Sequence, residues 1–161
     1  MEVDDEAPRV NVDAFGMTPL MHASEAGVLD TVRTLIARGA DVNARENEGR
    51  TPLMLASQEG HAGVVGLLIN NEADVNAIEV VHNYTALMLA AMNDHALVVK
   101  MLLKHDANKN MKDKDEKTAL DHADNDEIKA ILSQVGGRRR GRRKTRKSKS
   151  RSRRQRRPLD T

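Results

Sequence analysis

Hydrophobic residues along this chain recur as short helical stripes, and the stripes come in pairs. Leu20 and Ala23 stand at i, i+3 and give a first helix a narrow apolar side. After Gly27, Val32, Leu35 and Ile36 follow at i, i+3, i+4, the spacing that turns one stripe of a second helix toward a core. Later second helices carry Val64, Val65, Leu67 and Leu68, then Val98, Val99, Leu102 and Leu103, then Ile128, Ile131 and Leu132. The flanks carry helix punctuation. Thr18 is suited to an N-cap, and Pro19 to the first helical position, where a missing N–H costs nothing. Gly27 ends the first helix, and Gly39 suits the left-handed residue that closes the second. Ala40-Asp41-Val42-Asn43-Ala44 then leads through a turn into the next pair.

The pairs are copies. Gly16-Met17-Thr18-Pro19-Leu20-Met21-His22-Ala23 returns as Gly49-Arg50-Thr51-Pro52-Leu53-Met54-Leu55-Ala56, as Asn83-Tyr84-Thr85-Ala86-Leu87-Met88-Leu89-Ala90, and as Glu116-Lys117-Thr118-Ala119-Leu120-Asp121-His122-Ala123. The threonines lie 33, 34 and 33 residues apart. A fixed period of this length predicts a stacked-repeat protein. One helix pair cannot bury its own apolar stripe, but stacked neighbours share one continuous core. Ala23, Ala56, Ala90 and Ala123 let the first helices approach closely.

The phrase resembles the ankyrin repeat, G-x-T-P-L-H-x-A followed by a second helix and G-A-D-x-N. The resemblance covers roughly residues 13–135. It implies an all-α solenoid of stacked helix–turn–helix units with β-hairpin-like turns projecting from one side. It also implies a protein-binding scaffold without intrinsic catalysis. The chain then divides into an acidic lead-in (1–12), four repeats (about 13–45, 46–78, 79–112 and 113–135) and a basic tail (136–161). Val10-Asn11-Val12 has the look of the exit from a repeat that is not there.

Departures from the family phrase carry expectations of their own. Met21, Met54, Met88 and Asp121 replace its histidine, so the hydrogen bonds of that histidine are expected to be absent. Its second-helix cap glycine survives only as Gly39, with Glu72 and Asp106 at the equivalent places. A non-glycine residue there is disfavoured by roughly 1 kcal/mol, so repeats two and three are expected to end differently or to be less stable. Repeat three has one extra residue within Glu79–Tyr84. Repeat four reads Asp124-Asn125-Asp126-Glu127 in place of a Gly-His turn, as a polar terminal cap would.

Composition sharpens this picture. A net charge of +2 hides a division. Residues 1–135 hold 12 Lys/Arg against 23 Asp/Glu, a net −11, whereas residues 136–161 hold 14 Lys/Arg and one acid, a net +13. Phe15 and Tyr84 are the only aromatics, which argues against a large aromatic-lined ligand pocket. The absence of cysteine excludes disulfides, thiolate zinc sites and a cysteine nucleophile. The acidic start lacks the features of a signal peptide, and no apolar run approaches membrane-spanning length. The expectation is a soluble, intracellular monomer with no membrane contact.

By the family resemblance, partners contact the turn tips and the exposed side of the first helices. The matching tip positions are Phe15, Met17, Glu48, Arg50, Val81, His82, Tyr84 and Lys117, and the helix positions are Gln58, Met92 and Asn93. Aromatic, methionine and arginine side chains are enriched in interfaces. Phe15 and Met17 have an alternative role, shielding the open end of the stack. Val80-Val81 is unusual for a solvated turn and favours a contact role.

Catalysis finds no foothold. His61 and His95 fall at the inter-helix turn where the family has a structural histidine. His22 and His122 replace Leu55 and Leu89, and His82 and His105 stand alone. No histidine pair has the i, i+4 spacing with a nearby glutamate of a helical zinc site. Asp113-Lys114-Asp115-Glu116 lacks the glycine and closing glutamate of a calcium loop and reads as an ordinary acidic turn. No metal, cofactor or catalytic group is expected.

The tail is different in kind. After Gly136-Gly137 come Arg138, Arg139, Arg140, Arg142, Arg143, Lys144, Arg146, Lys147, Lys149, Arg151, Arg153, Arg154, Arg156 and Arg157. A segment so polar is expected to be disordered alone. Its charge suits nuclear localisation or salt-dependent contact with nucleic acid or another polyanion, and no aromatic is present to stack on bases. Phosphorylation of Ser148, Ser150 and Ser152 would offset that charge. The leading expectation is a non-enzymatic adaptor with a nuclear address in a eukaryotic cell. The alternatives are a nucleic-acid binder acting through the tail, and a tail masked by the acidic body.

Overall fold

The computed structural model describes residues 11–134. Eight helices follow one another: α1 (Pro19–Glu25), α2 (Leu29–Ala37), α3 (Pro52–Gln58), α4 (Ala62–Asn70), α5 (Ala86–Met92), α6 (Ala96–Lys104), α7 (Ala119–His122) and α8 (Asp126–Ser133). Among the described residues there is no β-strand. α1, α3, α5 and α7 pack side by side in one row, and α2, α4, α6 and α8 form a second row behind it.

Local chemistry starts the first helices where the repeated phrase places them. Thr18, Thr51 and Thr85 have extended backbones, and each Oγ1 accepts the amide N–H of Met21, Met54 or Met88 at 3.2–3.3 Å. Such a cap contributes about 1 kcal/mol. The bonds expected to vanish with the family histidine are partly rebuilt. Met21 Sδ accepts the Thr18 N–H at 3.4 Å, and the Asp121 carboxylate accepts both the N–H and the hydroxyl of Thr118 at 2.8 Å. Only the two inner repeats rely on the threonine alone.

The second helices also correct an expectation. Gly39, Glu72 and Asp106 all adopt the left-handed conformation, with φ of 86°, 66° and 64°. Repeats two and three therefore close as repeat one does. In each, the residue three past the helix end donates to the carbonyl of the third-last helical residue: Ala40 to Leu35, Ala73 to Leu68 and Ala107 to Leu102, at 3.0–3.1 Å. Ala73 and Ala107 are buried as they do so. A conformation whose strain is about 1 kcal/mol is thus held by a buried methyl and its backbone bond, joined in repeat two by a second bond from Glu72 N–H to Ile69 (3.1 Å).

Leu20, Leu53 and Leu87 point into the stack and are buried. So are Ala23, Ala56, Ala90 and Ala123, which bring the first-row helices together. One continuous core runs from Leu20 to Leu132. Leu120, at the same position in α7, is partly exposed because no described helix covers that end. α7 has four residues where its counterparts have seven, since Ala123 turns extended (ψ 124°) and sends the chain directly to Asn125. The Asn125 side chain then caps α8 by accepting the Glu127 N–H at 2.8 Å.

Amide side chains tie neighbouring repeats on the side of the second-helix ends. Asn43 donates to the Glu72 carbonyl (3.0 Å) and accepts the Asp74 N–H (2.7 Å). Asn76 does the same with Asp106 (3.2 Å) and Asn108 (2.7 Å). Each amide uses both of its polar ends on the next repeat, which fixes the stacking register.

Candidate protein-binding face

Four turns precede the first helices, and an acidic residue organises each of them. Asp13 accepts the N–H groups of Phe15 and Met17 at 2.9 and 3.0 Å. Glu46 accepts the Arg50 N–H at 2.9 Å, and Asp113 accepts those of Asp115 and Lys117 at 2.8 and 2.9 Å. Glu79 spans the turn with the extra residue, and its longer side chain accepts from Val81, His82 and Tyr84 at 2.6–3.0 Å. Glu46, Glu79 and Asp113 are buried. These carboxylates are the residues the sequence reading missed. The available signal was an acid five or six places before every repeat threonine.

The charges of these groups are held by the turns themselves. Burial works against the Asp113 carboxylate, but the Lys117 N–H, the His122 ring and the Asp115 N–H outweigh it and hold its pKa below the usual range. Glu46 is likewise lowered: burial opposes its charge, and the N–H groups of Arg50 and Glu48 with the Arg50 guanidinium prevail. Asp13 is lowered chiefly by the Met17 N–H.

Backbone bonds join the four tips into one row. Asn47 N–H donates to the Phe15 carbonyl (3.0 Å), Val80 N–H to Glu48 (2.8 Å) and Lys114 N–H to His82 (2.9 Å). Within each turn the chain closes like a hairpin, with Asp13 N–H to Met17, Glu46 to Arg50, Glu79 to Tyr84 and Asp113 to Lys117 at 2.9–3.2 Å. The phrase that begins each repeat therefore builds a projecting turn, a first helix and a contiguous edge shared by all four units.

Two family models cover most of this architecture: ankyrin repeats (3 copies) over residues 4–79, and ankyrin repeats (many copies) over residues 81–123. The chain belongs to the ankyrin-repeat family. Ankyrin repeats are a protein–protein interaction module, and the family is generally non-enzymatic. Among the described residues no helix is long and apolar enough to cross a membrane.

The ankyrin tips and first helices dispose the expected contact residues unequally. Phe15 (68% exposed), Val81 (42%) and Met92 (40%) present apolar side chains to solvent, and Val80 (58%) joins them. Met17 does not. At 8% exposure it packs with Met21 and Leu55 beneath the first tip, so its side chain belongs to the fold and not to the face. Arg50 is half-buried, with its Nε 3.2 Å from Glu46 and 3.5 Å from Glu48, and the guanidinium braces the second tip. Glu48, Asn93 and Lys117 are exposed, and Gln58 is half-buried.

Tyr84 sits at the centre of a small ring cluster. His82 stacks on it with centroids 4.9 Å apart and planes at 13°, and His122 meets it edge-on at 5.5 Å. His122 Nε2 in turn lies 2.5 Å from the Asp113 carboxylate. Burial, then the nearby charges of Asp113, Asp115 and Glu79, push the Tyr84 phenol up. The cluster joins tip three to α7 and holds Tyr84 half-buried. His22 pairs with Asp13 at 2.9 Å in the first repeat, so each end repeat couples its histidine to its turn acid. The two end histidines are thus more than polar replacements of leucine. His61 and His95 each bond a carbonyl of the preceding repeat. Among the described residues no three His, Asp or Glu side chains form a metal-binding group. The tail cations from Arg138 to Arg157 lie outside the described residues.

Proposed function

We propose that this chain is an adaptor whose row of turn tips and first helices grips a partner protein, while its basic tail carries the complex to the nucleus or to a polyanion. The observation that carries the first half is the exposure of Val80 and Val81 where tips two, three and four meet. Two adjacent valines held outward on an ordered turn lose apolar area to water unless something covers them. Phe15, His82, Tyr84, Met92, Asn93, Glu48, Gln58 and Lys117 extend the same face, and Arg50 keeps the second tip in shape beneath it.

The tail half rests on density of charge. Fourteen cations fall within residues 138–157. Such a run attracts phosphates with little sequence preference, and the acidic body leaves that task to the tail alone. This supports a second reading, in which nucleic acid bound by the tail is the main ligand and the repeats are its carrier.

Affinity capture separates the two. Val81→Asp and Tyr84→Ala should reduce capture of the protein partner by about tenfold or more, as loss of a central anchor does. Deletion of 138–157 should leave that capture intact and abolish nuclear accumulation in a eukaryotic cell. Capture unchanged by both face substitutions would sink the face. Activity lost with the tail but retained without the repeats would favour the carrier reading.

A further inference from the structure

The contact face is asymmetric in its chemistry, and the asymmetry follows the repeat order. Its largest apolar cluster is on the third repeat, where Val80 and Val81 stand on the tip, Tyr84 follows and Met92 ends α5, while Phe15 stands apart on tip one. α5 has seven residues, so Met92 stands about 10 Å of helix away from the tip. Acids stand at some of the corresponding places in repeats one and two, although Phe15 takes the place of Val81 on tip one and Gln58 that of Met92 in repeat two. Glu48 lies on tip two, Glu25 takes the place of Met92 in repeat one, and Glu59 follows Gln58 in repeat two.

Cations near this cluster are already engaged. The Arg50 guanidinium is held by Glu46 and Glu48. The Lys114 ammonium donates to the carbonyls of Val80 and Val81 at 2.8 and 2.6 Å. Glu25 and Glu59 form no ion pair among the described residues, and both are exposed. Lys117 and Asp115 are both exposed on tip four, on the far side of the cluster, so that side carries both signs. The face therefore has an apolar cluster at repeat three, with the exposed carboxylates of Glu25 and Glu59, and of Glu48 beside Arg50, toward repeats one and two.

From this arrangement we infer that the partner presents a short segment in which apolar anchor residues are flanked on one side by lysine or arginine. The anchors lie over Val81, Tyr84 and Met92, and the basic flank runs toward Glu48, Glu59 and Glu25. Opposite charges on the two surfaces steer encounter and fix which way the segment runs. A nucleic acid does not suit the place, because phosphates would meet the acids. The chain's own tail does not either, because residues 138–157 contain no apolar side chain to cover the cluster. This inference rests on the adaptor reading and specifies the chemistry of what is gripped.

The test is a random-peptide display selection on the full chain. Each enriched sequence is then remeasured as a synthetic peptide against the wild type, Val81→Asp, Met92→Gln, and the double variant Glu48→Lys/Glu59→Lys. All four side chains are on the surface, and an unchanged melting temperature confirms each fold. We expect a class of peptides that loses about tenfold or more in affinity on Val81→Asp or Met92→Gln. Members of that class should join apolar residues to Lys or Arg, bind more weakly as salt rises, and weaken again with the charge-reversed double variant. Face-dependent peptides that are acidic or uncharged, or that ignore the double variant, would overturn the basic flank and leave the adaptor face standing. Enriched peptides that ignore Val81→Asp and Met92→Gln, including acidic ones held by the tail, would overturn both.

Discussion

His61 Nε2 lies 2.9 Å from the backbone carbonyl of Glu25, one repeat earlier. A carbonyl only accepts, so this ring nitrogen carries the proton and donates. The bond falls at the C-terminal end of α1, where carbonyls lack helical partners, and His95 repeats it on Gln58 at 2.8 Å. The histidines at the inter-helix turns are thus clasps between successive units. We expect His61→Ala to destabilise the chain by about 1–2 kcal/mol, from one lost bond and its freed carbonyl, while leaving the exposed face intact. Chemical denaturation checks the first part, and peptide or partner binding by the refolded variant checks the second.

The clasp also dictates a glycine. Gly27 and Gly60 have positive φ (73° and 76°) and lie directly under the His61 and His95 rings, where an added Cβ would sit 2.6 and 2.4 Å from ring atoms. Gly60→Ala should therefore cost about 2 kcal/mol or more, combining backbone strain with a displaced ring. An equilibrium urea titration would show it as a lower midpoint at unchanged slope.

Ser57 offers the opposite case. Its hydroxyl is buried with no hydrogen-bond partner among the described residues, as is that of Ser24. In repeat three the same place is taken by Ala91, also fully buried. Ser57→Ala should raise stability by about 1 kcal/mol, since it removes an unpaired polar group and improves helix propensity. A decrease in melting temperature would show that the hydroxyl has a role in the fold.

Glu72 and Asp106 give a third stability test. Both occupy the left-handed position that Gly39 fills in repeat one. Glu72→Gly should relieve strain that exceeds the entropy it returns to the unfolded chain, for a net gain of about 0.5–1 kcal/mol. The gain should appear as slower unfolding of repeat two in hydrogen exchange. Destabilisation would mean that the carboxylate itself supports the turn.

Acid should loosen the tips first. Asp13, Glu46 and Asp113 have pKa values lowered by folding. The stabilisation linked to a lowered carboxylate is complete above its unfolded value and lost as pH falls through the folded one. Stability should therefore be flat near neutrality in respect of these groups and decline as pH drops below about 4. Asp113→Asn should flatten part of that acid limb, and a pH series of thermal melts would record it. An acid limb identical in variant and wild type would remove Asp113 from the account.

Most of the scaffold was legible because it depends on local chemistry repeated four times. Thr18, Pro19 and Gly39 announce helix ends by their own stereochemistry, and Leu20 with Ala23 announces a buried side by spacing. What stayed hidden depends on contacts between units. Met17 reads as an interface methionine, yet Met21 and Leu55 cover it, and Leu55 comes from the next repeat. Glu72 reads as a weak helix end, yet buried Ala73 and two backbone bonds hold it left-handed. Asp113 reads as part of an ordinary acidic turn, because the recurrence of an acid before each threonine does not by itself show a carboxylate folding back on the turn's amides. The contact face is the least legible part: its positions come from the family phrase, but the bracing of Arg50 by Glu46 needs the folded turn, and the contact of His122 with Tyr84 emerges only when the repeats stack.

The most direct test of the account is amide hydrogen exchange on the full chain with and without its captured protein partner. Protection confined to the tips and first-row helices, strongest over residues 79–92, is the predicted result. Protection confined to the second-row helices α2, α4, α6 and α8, or to residues 138–157 alone, would contradict it.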